Sequence, residues 1–137
     1  MIKELLFSII NIVSLFIDSY SYAVPEPKVR HMRVTGYIPA NNSKGALGEH
    51  VVIGKTAAVS RKCMDLLGDT VYIEGHGVWK INDLTAKWLD DKHKVCTIDL
   101  AVPNKTEARK IGNNIHKVVR IHETNRRTRT SNRRGSK

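Results

Sequence analysis

The chain has 137 residues, with 23 Lys and Arg against 13 Asp and Glu and a net charge of +10. That length suits one small domain and excludes a multidomain enzyme built on a large cofactor fold. A hydrophobic content of 41% supports a packed core and excludes wholesale disorder, while 6% aromatic residues are too few for a single-stranded nucleic-acid stacking platform.

Lys3 precedes an apolar run from Leu5 to Ile17, and Ser21-Tyr22-Ala23 supplies small residues ahead of a cleavage point. Residues 1–23 therefore read as an export signal peptide. The run falls short of the roughly 20 residues that a membrane-spanning helix requires. Pro25 and Pro27 mark a linker over 24–30, so the mature chain starts near Val24. The expected location is the periplasm, the cell envelope or the extracellular space. The domain itself is assigned to 31–122.

Val29–Tyr37 has β-branched residues in rough alternation and predicts a strand. Residues 38–55 have the Gly, Asn and Pro content of a loop. Thr56–Ser60 is a short strand, and Arg61–Leu67 one helical turn ended by Gly68. Thr70–Glu74 and Val78–Asn82 form a hairpin about Gly75-His76-Gly77. Polar Asp83–Lys94 reads as a loop and Val95–Leu100 as a strand. Asn104 caps a short helix with Glu107 three residues on, a capping box, and Gly112 stops it. Lys117–His122 is the last strand. The tail, 123–137, has six basic residues (Arg126, Arg127, Arg129, Arg133, Arg134 and Lys137), no apolar residue after Thr124, and a composition that predicts disorder. Six strands with one or two short helices make a mainly β protein, a small barrel or sandwich.

Cys63 and Cys96 leave two readings open. In an oxidising compartment they form one disulfide, closing a loop of about 30 residues for about 3 kcal/mol, or they remain separate buried thiols. The six histidines show no metal-ligand spacing, so no metal or cofactor is expected. No nucleophile motif is present. The carboxylates are more informative. Period-2 alternation puts Thr97 and Asp99 on one face of a strand and Ile98 and Leu100 on the other. Aspartate is disfavoured in strands, so Asp99 is on a solvated outer face, accepts backbone hydrogen bonds in a turn, or is a groove carboxylate suited to general acid/base work.

The strings Arg33-Val34-Thr35-Gly36-Tyr37, Gly54-Lys55-Thr56-Ala57-Ala58-Val59-Ser60 and Leu67-Gly68-Asp69-Thr70-Val71-Tyr72-Ile73-Glu74-Gly75-His76-Gly77 resemble the three-aspartate (3D) domain family. The resemblance continues through Ile81-Asn82-Asp83, Thr97-Ile98-Asp99-Leu100, Glu107-Ala108 and Gly112 to Val118-Val119-Arg120-Ile121. It implies a six-stranded double-psi β-barrel similar to those of membrane-bound lytic transglycosylase A and rare lipoprotein A, acting on peptidoglycan. It further implies Asp99 as catalytic acid and base, closing a 1,6-anhydro ring, with Asp83 nearby raising its pKa by charge. Tyr37, Thr56, Ser60 and His76, all within the quoted strings, are the substrate-contacting candidates. Three departures stand out. Ser60 occupies the family's first aspartate position, with Asp65 five residues on. Leu84-Thr85-Ala86 replaces a Thr-Gly-Gly-like turn, and His76 stands where Tyr is frequent.

The expected function is therefore a lytic transglycosylase cleaving the MurNAc–GlcNAc bond. The alternative is a non-catalytic peptidoglycan-binding barrel, with Trp79 or Trp88 either stacking on sugar or simply packing. The arginine-rich tail suits anionic wall polymers or lipid headgroups, and export argues against nucleic acid. A monomer is expected.

Overall fold

The structure, a computed structural model, describes residues 27–122. The expected export signal, the first part of the expected linker and the basic tail sequence lie outside the described residues. Six strands form a closed mixed barrel: β1 (Val29–Tyr37), β2 (Thr56–Val59), β3 (Thr70–Ile73), β4 (Gly77–Leu84), β5 (Thr97–Ala101) and β6 (Asn114–His122). The ring order is β1-β5-β2-β4-β3-β6, with β6 closing on β1. Two pairs are parallel, β1 with β5 and β2 with β4, and the other four are antiparallel.

The inward face follows the alternation in each strand. Met32 and Val34 of β1, Ile98 and Leu100 of β5, and Ala57 and Val59 of β2 are completely buried. Trp79 and Ile81 of β4 join the same core. Trp79 is thus a packing residue, and its indole N–H donates to the His76 carbonyl at 2.9 Å. The indole donor is thus satisfied within the barrel.

Three short helices complete the described chain. A 3-10 helix (Arg61–Leu66) buries Cys63 and Leu66 against the barrel. Cys63 and Cys96 form a disulfide, with Cα atoms 5.8 Å apart, which ties that helix to the entry of β5. Helix α1 (Lys87–Lys92) lies where the polar composition predicts only loop. It has no side-chain N-cap; tertiary hydrogen bonds to Asp90 hold it instead. Helix α2 (Lys105–Ile111) starts at the expected cap, with Asn104 Oδ1 accepting from the Glu107 N–H at 2.9 Å. The reciprocal half of the capping box is replaced: Glu107 pairs with Lys110. Gly36 lets α2 sit on β1, since a Cβ there would lie 3.0 Å from the Ala108 Cα.

Candidate functional site

Strand register builds the site before any side chain is considered. Thr35 pairs with Asp99 across β1 and β5, Asp99 with Ala58 across β5 and β2, and Ala58 with Asp83 across β2 and β4. Their flanking residues Val34, Ile98, Leu100, Ala57 and Val59 point into the core. The row Thr35–Asp99–Ala58–Asp83 therefore runs along the outer face of four adjacent strands. Tyr37, two residues beyond Thr35, shares that face.

A bulge sets the position of Asp83. The β2–β4 register slips between Ala57 and Ala58, which pair with Ile81 and Asp83, so Asn82 is the extra residue. Without it Asp83 would share the inward phase of Trp79 and Ile81. The bulge turns the aspartate outward and returns Leu84 to the core side. The 38–55 loop then closes over this edge. Ala46 N–H donates to Asp83 Oδ1 at 3.0 Å, and so does Leu84 N–H at 2.8 Å. Gly45 permits the approach, because a Cβ there would collide with the Asn82 carbonyl oxygen. The same loop reaches β5, where Gly54 N–H donates to the Ala101 carbonyl at 2.9 Å.

Asp99 is 8% exposed and is not on a solvated face. Burial pushes its carboxyl up to about 6, and the Thr35 hydroxyl, which donates to Asp99 Oδ1 at 2.9 Å, opposes the rise. The sequence-based expectation that the charge of Asp83 raises Asp99 is therefore corrected: low polarisability around the carboxyl does so. Asp83 sits two strands away, with Cα atoms roughly 10 Å apart at ordinary strand spacing. Tyr37 completes the group. Its hydroxyl is raised first by burial, then by the charges of Asp83 and Asp99. Among the described residues that buried hydroxyl has no hydrogen-bond partner.

The remaining candidates lie elsewhere or serve the scaffold. Thr56 is buried, and its Oγ1 accepts from Val52 N–H at 2.9 Å, pinning the end of the 38–55 loop. Ser60 Oγ accepts from Thr97 N–H at 3.0 Å, while Ser60 N–H donates to the Thr97 carbonyl at 3.0 Å. The residue in the first aspartate position thus clamps the start of β5, two residues from Asp99. Asp65 is not an alternative to it there, since it pairs with Arg30 and Arg120. His76 lies in the β3–β4 turn, its ring edge-on to His116 of β6 at 4.8 Å. Burial, then His116, lowers its pKa. Asp83 is seven residues along β4 from it, roughly 20 Å of strand. The structure thus brings together Asp99, Asp83 and Tyr37, and separates His76 from them.

Thr35 was missing from the candidate set although period-2 spacing from Tyr37 puts it on the same face. The Ala46 N–H carried no side-chain signal at all. Among the described residues, no three His, Cys, Asp or Glu side chains are grouped to hold a metal ion. No protein-family model matches the chain, and no curated protein matches it.

Proposed function

We propose that the barrel is a double-psi barrel of the three-aspartate type, and that the exported protein cleaves peptidoglycan glycan strands as a lytic transglycosylase. The observation that carries this reading is the Asp99 carboxyl, buried and pushed up to about 6, which can hold a proton near neutral pH. The two parallel strand pairs β1–β5 and β2–β4 support the topology. In the proposed reaction Asp99 protonates the glycosidic oxygen between MurNAc C1 and GlcNAc O4. The C1–O bond breaks, and GlcNAc leaves with that proton as its 4-hydroxyl. The Asp99 carboxylate then takes the proton of the muramoyl 6-hydroxyl as O6 bonds to C1. The product is a 1,6-anhydro sugar, and no water is consumed, unlike ordinary two-carboxylate hydrolysis. Asp83, held by two backbone N–H groups, supplies fixed negative charge opposite the developing oxocarbenium ion. The unpartnered Tyr37 hydroxyl is a donor for a sugar oxygen.

A second reading, a glycan-binding barrel without catalysis, is favoured by Trp88, which stands 65% exposed on α1. Digestion of purified sacculi by residues 24–137, with mass spectrometry of the released muropeptides, separates the two. Anhydro-ended fragments from the native protein, reduced 100- to 10,000-fold in Asp99→Asn, are expected from loss of a general acid. Absence of fragments, with the protein still retained on sacculi, rejects the enzyme and leaves the binding module.

A further inference from the structure

The barrel carries a second outer face, on the side away from Asp99. Val29 pairs with Val119 across β1 and β6, Val119 with Tyr72 across β6 and β3, and Tyr72 with Val78 across β3 and β4. Val29, Tyr72 and Val78 are 48%, 45% and 56% exposed, and Val119 is half-buried between them. Ile121, two residues past Val119 on β6, is 55% exposed. An apolar row thus crosses four adjacent strands, roughly 15 Å at ordinary strand spacing. Exposed apolar side chains scattered singly need no explanation, but a contiguous set in register does.

Charge and chain ends identify what meets this face. Exposed Lys28 adjoins Val29, and exposed Lys117 is two residues from Val119 on the same face, with Glu74 the acid two residues past Tyr72; half-buried Lys80, two residues past Val78, donates instead to the Gly68 carbonyl at 2.7 Å. The described chain ends at His122, next to Ile121, and the sequence beyond carries six Arg and Lys after Thr124 with no acid. An apolar face, the flanking ammonium groups of Lys28 and Lys117, and a polycationic sequence that continues from β6 match an anionic lipid surface.

We propose that this β1–β6–β3–β4 face docks on a bilayer containing anionic lipids, with Tyr72, Val78 and Ile121 at the headgroup boundary. In the ring order β3 lies opposite β5, and β6 opposite β2. Docking by this face therefore turns the Asp99 row away from the bilayer. The inference stands independently of glycan cleavage, since lipid partitioning requires no reaction.

The test uses the expected mature chain, residues 24–137, and vesicles of 30% phosphatidylglycerol in phosphatidylcholine. Tyr72→Ser/Val78→Ser is expected to weaken partitioning at least tenfold, and Trp88→Ser, an exposed apolar residue off the row, to leave it unchanged. Both variants alter exposed positions, and a thermal unfolding transition like the native one verifies their folding. In a Val78→Trp chain, brominated lipid is expected to quench the new indole. Equal partitioning of the double variant and the native chain overturns the proposal, because the terminal segments would then carry all the binding. Unquenched Trp at 78 overturns it as well. So does lipid-free self-association that the double substitution abolishes, which would make the row an interface between copies of the chain.

Discussion

Asp90 on α1 and Asp99 on β5 are equally hidden from solvent, each 8% exposed, yet their carboxyls move in opposite directions. Burial pushes both upward. At Asp90 the Thr85 hydroxyl donates at 2.5 Å and the Arg61 guanidinium at 2.7 Å, and together they reverse the effect of burial. Arg61 is itself partly in solvent, its side chain 44% exposed, so the pair sits under thin cover at the edge of the barrel. Asp99 lies mid-strand in the barrel wall, where, among the described residues, the Thr35 hydroxyl is its side-chain donor. Depth and donor number decide the charge state, and low exposure alone does not. One aspartate is built to stay ionised and hold a helix; the other is poised to carry a proton.

Three substitutions break or sharpen that contrast. The largest effect on stability is expected from Asp99→Asn. Raising a carboxyl from 3.8 to about 6 is worth about 3 kcal/mol against the folded state once the group is ionised. Below about pH 3 the carboxyl is protonated in both states and the cost vanishes. Between about pH 3 and 6 the unfolded chain ionises first, so stability falls as pH rises. Thermal unfolding should therefore find Asp99→Asn more stable than the native protein at pH 8 and equal to it at about pH 3. An equal melting temperature at pH 8 would remove the burial argument.

Asp90→Ala should act in the opposite sense. It leaves Arg61 and Thr85 without their acceptor and costs about 2 kcal/mol at pH 7. The carboxyl is lowered in the fold, so its contribution is present above the ordinary carboxylate range and lost as pH falls below it. The gap between variant and native melting temperatures should accordingly narrow at pH 3. Thr35→Val should have the smallest effect. It removes the hydrogen bond that holds Asp99 down, so the alkaline limb of the pH profile of the proposed glycan cleavage should move to higher pH. A limb that does not move would show that Thr35 positions the strand and not the proton.

The sequence made the strands legible wherever alternation and turn chemistry agreed. Val29–Tyr37 has the bounds expected of it, with Met32 and Val34 inward. The Asn104 cap is equally local and equally readable. Helix α1 was hidden because its residues, Lys-Trp-Leu-Asp-Asp-Lys, carry no cap and no apolar period; Arg61, 29 residues away from Asp90, stabilises it. The site divides along the same line. Alternation put Asp99 opposite Ile98 and Leu100, but its burial comes from the assembled barrel wall and is announced by nothing local to β5. Asp83 owes its outward direction to the Asn82 bulge, a register slip that no composition announces. Ser60 and Thr56 are candidates only by their place in the motif strings, and the hydroxyl oxygens of both accept from backbone N–H groups.

The most direct measurement is a carboxyl carbon titration by NMR of the chain labelled at aspartate, with Asp99→Asn and Asp90→Ala assigning the two resonances. The account predicts that Asp99 titrates with a midpoint near 6 while Asp90 stays below the ordinary carboxylate range. An Asp99 midpoint near 4, like that of a solvated aspartate, would contradict it.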